Sequence, residues 1–163
     1  MTSLRCIIVD DEPLALNLLH DYIHQTPFLE LVARCSSGVE ALDVLKSKKV
    51  DLAFIDIQMP HLNGLELSRM MGNCFVIFTT AFEQYALEGF KVNAIDYLLK
   101  PFSYAEFLTA ANKAQRQAEL INASGSLVNN TLTPKNLVIK ADYKRQIITT
   151  SDILYIEGII NVY

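Results

Sequence analysis

Hydrophobic positions in the first 121 residues alternate between two periods. Five short apolar runs stand at residues 6–9, 29–35, 52–55, 75–78 and 97–99, and three of them are continuous blocks rich in β-branched or aromatic side chains. Continuous apolar blocks of this length predict strands buried on both faces of a sheet. The run at 29–35 is more mixed, with Glu30 and Arg34 inside it, and predicts an edge strand with one face partly wet.

Between these runs, apolar residues recur at helical spacing. Pro13 suits a first helical turn, and Leu14, Leu18, Leu19, Tyr22 and Ile23 follow on one stripe. Ser36, Ser37 and Gly38 precede a second segment built on Val39, Leu42 and Leu45. Glu40 stands early and Lys46 late in it, as the helix dipole favours. Residues 64–71 and 83–90 predict a short third and fourth helix. Residues 104–121 predict a long fifth one, with Ser103 and Glu106 spaced for a capping box. Five strand–helix units in strict alternation predict an α/β fold. It would be a doubly wound, five-stranded parallel sheet with helices on both faces and right-handed crossovers.

The pattern changes after this stretch. Polar, small residues with Gly125 and Pro134 divide the chain into residues 1–122, a linker at 123–135 and a tail at 136–163. Apolar runs at 137–140, 146–149, 153–156 and 159–162 predict strands joined by short turns. The tail is thus expected to be β-rich, and too short to bury a core of its own, since domains below roughly 40 residues need outside support. It reads as the fragment of a larger module.

Composition narrows the class. With 163 residues, 51% of them hydrophobic, the chain can bury a core and is neither disordered nor collagen-like. Its 14 Lys and Arg against 18 Asp and Glu argue against a surface that grips nucleic acid or anionic membrane throughout. Residues 1–122 hold 10 basic and 15 acidic side chains, whereas the remainder hold 4 and 3. Cys6, Cys35 and Cys74 are far apart within or beside apolar runs. That placement reads as buried free thiols in a reducing cytoplasm, not as a disulfide or zinc framework. Charged residues interrupt every apolar stretch short of a membrane span, and the N-terminus lacks signal-peptide anatomy. A cytoplasmic location is expected.

The chemistry lies at the strand ends. In a parallel α/β sheet, ligands bind beyond the C-terminal ends of the strands, where strand order switches. The first strand ends in Asp10, Asp11 and Glu12, the third in Asp56, the fourth in Thr79 and Thr80, the fifth in Lys100. Each residue alone has a plainer reading. Asp10 and Asp11 could cap a helix, Asp56 could be a loop acid, and Lys100 a solvated lysine. Jointly they describe a site for a hard divalent cation and a phosphoryl group. Carboxylate oxygens suit Mg²⁺, while an ammonium and a hydroxyl suit phosphoryl oxygens.

These residues also carry a family resemblance. Ile-Ile-Val-Asp10-Asp11-Glu12-Pro, Asp56-Ile-Gln-Met-Pro60-His-Leu-Asn-Gly64, Phe-Thr-Thr80-Ala81 and Asp-Tyr97-Leu-Leu-Lys100-Pro101-Phe resemble the receiver domain of two-component response regulators over about residues 3–122. The resemblance implies a flavodoxin-like receiver with strand order 2-1-3-4-5. It implies that a sensor histidine kinase phosphorylates Asp56. Asp10, Asp11, Asp56 and the main-chain carbonyl of Gln58 would hold Mg²⁺. Thr80 and Lys100 would engage the phosphoryl group, and Tyr97 would be the switch aromatic. The tail resembles the opening of a LytTR-type DNA-binding domain, which implies DNA as a partner of the full-length regulator. A homodimer through the fourth helix, fifth strand and fifth helix is a further expectation of the family; of Phe82, Tyr85, Leu87, Phe90, Phe107 and Leu108 most are expected in the core, and any that face outward would form its surface.

A phosphoacceptor of this kind is expected not to be an enzyme beyond slow self-catalysed phosphorylation and dephosphorylation. One rival is a Mg²⁺-dependent phosphohydrolase with an aspartate nucleophile. Such enzymes place an acid two residues after the nucleophile, where this chain has Gln58, which cannot shuttle a proton. Another is a stand-alone receiver acting by protein interaction only. His20 and His24, four residues apart, read as solvated helix-face histidines, since no third ligand joins them at helical spacing.

Overall fold

The five apolar runs become five parallel strands because each is long enough to cross a sheet and too short to settle as a helix. In the computed structural model, which describes residues 2–85, 93–127, 136–141 and 144–149, they are β1 (Leu4–Val9), β2 (Leu29–Cys35), β3 (Leu52–Asp56), β4 (Phe75–Thr80) and β5 (Asp96–Leu99). The sheet order is β2-β1-β3-β4-β5, with every pairing parallel. This is the order and the flavodoxin-like architecture anticipated above, and the mixed strand β2 lies at an edge.

Helices α1 (Pro13–His24), α2 (Gly38–Ser47), α3 (Gly64–Arg69) and α4 (Tyr104–Leu127) connect or follow the strands. Their starts are chemically explicit. Pro13 opens α1, and the Ser37 hydroxyl accepts from the Glu40 N–H at the start of α2. Asn63 and Glu66 form a full capping box at α3, and Ser103 exchanges bonds with Glu106 ahead of α4. The helix at 83–90 lies beyond Tyr85 for most of its length, outside the described residues, as do the strands at 153–156 and 159–162.

Alternation along each strand sends side chains into two cores. Cys6, Ile8, Phe54 and Ile77 face Leu16, Leu19 and Ile23 of α1 and Phe107, Ala110, Ala111 and Ala114 of α4. Ile7, Val9, Ala53, Ile55 and Phe78 face Ala41 of α2 and Leu67 of α3. The buried alanines of α4 let that helix lie close against the sheet. Its aromatic anchor, Phe107, stacks on Phe54 at 4.8 Å.

The first compact unit is Met1–Ala123 and the second Ser124–Tyr163. The structure differs from the sequence reading at the expected linker, because α4 continues to Leu127. Once a helix is nucleated, each further residue costs little, and no proline intervenes before Pro134. Even Gly125, with open space around its α-carbon, costs only about 1 kcal/mol relative to alanine. In the second unit, β6 (Asn136–Ala141) and β7 (Lys144–Thr149) pair as an antiparallel hairpin.

All three cysteines are free. Cys6 and Cys35 are buried and Cys74 is half-buried. Burial pushes each thiol up to about 12, which disfavours the thiolate. Among the described residues, no helix is long and apolar enough to cross a membrane.

Candidate functional site

The C-terminal ends of β1, β3, β4 and β5 bring the anticipated residues together. One carboxylate oxygen from each of Asp10, Asp11 and Asp56 lies within 4.8 Å of the others. Asp10 is fully buried and Asp56 is 4% exposed, while Asp11 opens to solvent. The Lys100 ammonium reaches across from β5. Its Nζ lies 2.8 Å from Asp10 Oδ2, 3.5 Å from Asp56 Oδ1 and 3.6 Å from Glu12 Oε1. The Lys100–Pro101 peptide is cis.

Electrostatics follow from burial. Desolvation pushes Asp56 up to about 6; Lys100 works against this, and Asp10 and Asp11 add to it. Asp10 is also raised, first by burial, although it accepts from Lys100 and from the Glu12 N–H at 2.9 Å. Burial disfavours the Lys100 charge, but Asp10, Asp56 and Glu12 outweigh it and hold the ammonium above its ordinary value. The site is thus short of positive charge.

The donor set fits a hard divalent cation. Three carboxylates offer oxygen only, and the exposed side at Asp11 admits the waters that Mg²⁺ retains. The loop after β3 is shaped to serve this cluster. Ile57 N–H donates to the Thr79 carbonyl, Gly64 N–H donates to the Ile57 carbonyl at 2.9 Å, and Gln58 N–H supports the Asp56 carboxylate. A Cβ on Gly64 would overlap the Asp56 carbonyl oxygen and stand 2.9 Å from Ile57 Cα. The turn closes only around a glycine.

The two threonines separate in role. Thr79 pairs with Asp56 in the β3–β4 register, and its buried hydroxyl has no hydrogen-bond partner. Thr80, 1% exposed, accepts the Phe82 N–H on its hydroxyl at 3.1 Å, while its carbonyl takes the Lys100 N–H at 2.7 Å. Tyr97 is half-buried against the core on the α2 and α3 side of the sheet. Its ring stacks on Phe78 at 5.3 Å, its hydroxyl is enclosed without a partner, and burial pushes that hydroxyl up to about 12. It is therefore already turned inward.

Three contacts were not legible beforehand. Glu12 joins the Lys100 cluster, Gly64 packs on Asp56, and the Gln58 amide donates to the Tyr85 hydroxyl at 3.3 Å. Gly64 was visible as part of a motif, but only the closed turn reveals its reason. Of the aromatic and aliphatic residues that might form a dimer surface, Phe107 is core, Phe82 is exposed, and Tyr85 and Leu108 are half-buried. Leu87 and Phe90 lie outside the described residues. The helix-face histidines stay apart from the site: His20 and His24 stack on each other at 6.3 Å.

Comparison with known proteins identifies the family of the first unit. Residues 6–112 match the response regulator receiver domain family. An uncharacterised response regulatory protein of Yersinia pestis is 38% identical over 116 residues, 69% of this chain and 49% of that protein. The transcriptional regulatory protein BtsR of Escherichia coli is 39% identical over 63% of this chain and 44% of its own length. The sensory transduction protein LytR of Staphylococcus saprophyticus is 34% identical over 93% of this chain and 65% of its own. The chain spans about half the length of the first two relatives. Among solved structures, the response regulatory domain of mrkE from Klebsiella pneumoniae superposes with a TM-score of 0.67 at 32% identity, covering 72% of this chain and 99% of that one. The TrrA response regulator of Thermotoga maritima, solved with Mg²⁺ and a beryllium fluoride, gives a TM-score of 0.61 at 29% identity, covering 70% of this chain and 99% of that one. With the family model matched across residues 6–112, well over half of its length, the chain belongs to the response regulator receiver domain family.

Proposed function

We propose that residues 1–122 accept a phosphoryl group on Asp56 from a sensor histidine kinase, in a Mg²⁺-dependent transfer. The observation that carries this reading is the placement of Lys100 between Asp10 and Asp56 beside a three-carboxylate cluster. Asp10, Asp11, Asp56 and the Gln58 carbonyl would hold the cation. A divalent cation there supplies charge that screens the nucleophile from the incoming phosphoryl oxygens.

The chain's own residues do the rest. An Asp56 carboxylate oxygen forms a bond to phosphorus as the bond from the donor nitrogen to phosphorus breaks, leaving the electron pair on that nitrogen. Lys100 pairs with a phosphoryl oxygen, relieving the repulsion that Asp10 exerts. The Thr80 hydroxyl exchanges the Phe82 N–H for another phosphoryl oxygen, and the change repacks the neighbourhood of Tyr97. Turnover stays slow because Gln58 offers no acid or base, so the protein is a switch rather than a phosphohydrolase.

The output is control of transcription through a LytTR-type domain that binds DNA. The β6–β7 hairpin and the similarity to LytR over 93% of the chain support this. Free thiols support a cytoplasmic setting, and a phosphorylation-dependent homodimer over the β5 side is the family expectation carried here. Incubation with Mg²⁺ and acetyl phosphate, read by intact mass, tests the core of the proposal. One phosphate adduct is expected, lost in Asp56→Asn and in excess chelator. No adduct on the unaltered protein would overturn it.

A further inference from the structure

Residues 100–103 bridge β5 to α4, and they are pinned at several points. Lys100 N–H donates to the Thr80 carbonyl at 2.7 Å. Two residues on, the Phe102 carbonyl accepts the Tyr22 hydroxyl at 3.3 Å. The Phe102 ring is buried 6.3 Å from the Tyr22 ring, and Ser103 closes the bridge onto α4 through its bonds with Glu106.

Tyr22 is itself held. Its ring packs 5.4 Å from both Tyr104 and Phe107, and its carbonyl accepts the Thr26 hydroxyl at 2.8 Å. The hydroxyl is therefore a fixed donor near the C-terminal end of α1. The same helix begins at Pro13, directly behind Asp10, Asp11 and Glu12. One rigid element thus carries the acids at one end and a tether to the lysine loop at the other.

That arrangement matters because Lys100 must satisfy two carboxylates at once. Misplacing a positioned group by about 1 Å can cost a large factor in rate. We propose that Tyr22 is a positioning residue for Lys100: its hydroxyl, bonded to the Phe102 carbonyl, holds the bridge so that the ammonium stays between Asp10 and Asp56. This rests on the phosphoacceptor reading above. Tyr22 touches neither phosphoryl group nor cation and acts only through the bridge.

Tyr22→Phe keeps the ring and its packing while removing the donor. The rate of adduct formation from acetyl phosphate at saturating Mg²⁺ is expected to fall roughly threefold to tenfold. In a Lys100→Ala background the same substitution should change the rate little, because the residue it positions is gone. Amide hydrogen exchange at Lys100 should quicken severalfold in Tyr22→Phe, with β1 amides unaffected, a readout that needs no phosphorylation. An unchanged rate in the single variant, an equal loss in both backgrounds, or unchanged exchange at Lys100 would each overturn the role of Tyr22. Absence of any adduct on the unaltered protein would overturn the phosphoacceptor reading instead.

Discussion

A Cβ added to Gly64 would overlap the main-chain carbonyl oxygen of Asp56. The first residue of α3 and the last of β3 therefore pack backbone to backbone, and the loop between them is closed by the bond from Gly64 N–H to the Ile57 carbonyl. This close approach sets the direction in which Asp56 leaves the sheet.

Gly64→Ala should accordingly destabilise the protein by roughly 1–3 kcal/mol, the usual cost of overpacking. It should also weaken Mg²⁺ binding, since Asp56 must shift to make room. Thermal melting and calorimetric Mg²⁺ titration check the two effects. A stable variant with ordinary Mg²⁺ affinity would show that the loop relaxes without disturbing the acid.

Burial of Asp56 makes stability depend on pH in a definite sense. Its folded value is about 6, whereas an unfolded carboxyl titrates near 4. Between about pH 4 and pH 6 the folded, metal-free protein holds the extra proton, so stability falls as pH rises through that window. The gap corresponds to on the order of 3 kcal/mol. Asp56→Asn removes the charge and keeps the shape, so without metal it should melt above the unaltered protein at pH 7.5. The advantage should vanish at pH 4 and shrink in saturating Mg²⁺. An asparagine variant that melts lower at pH 7.5 would contradict this account.

Lys100 is the cation already inside the acid cluster, and removing it should separate folding from metal binding. Lys100→Ala leaves Asp10 buried without its partner, at a cost of about 3 kcal/mol. The same change removes a positive charge beside the carboxylates, so Mg²⁺ should bind more tightly, on the order of tenfold. Calorimetry at low salt gives the affinity. Weaker binding would mean that Lys100 organises the acids more than it repels the metal.

The hydroxyl of Tyr97 is enclosed and unpaired, so it adds no favourable bond to the folded state. Tyr97→Phe should be neutral or stabilising by up to about 1 kcal/mol, because an unsatisfied buried group is removed while the stack on Phe78 remains. Urea denaturation measures this. A clear loss of stability would show that the hydroxyl finds a partner in solution.

Strand positions, the edge character of β2 and the pairing of Ser103 with Glu106 could be read from the chain alone. Each depends on neighbours in sequence: an alternation, a mixed face, a three-residue spacing. The end of α4 is not legible in the chain, because its polar, small residues resemble a linker yet extend an existing helix at little cost. The Asn63–Glu66 capping box rests on an equally local spacing.

At the site, the groups that stand at strand ends are legible in the chain, because a strand's last residue is a local property. Asp10, Asp11, Asp56, Thr80 and Lys100 all follow from that and from their match to known motifs. The rest comes from packing. Lys100 meets Asp10 across ninety residues of chain, Gly64 must be bare to lie on Asp56, and Tyr22 reaches the Phe102 carbonyl from another helix. Burial, which raises Asp56 and leaves the hydroxyls of Thr79 and Tyr97 unpaired, is likewise a property of the packed core. Long-range contacts and desolvation depend on which elements come to lie side by side, and no local pattern encodes that.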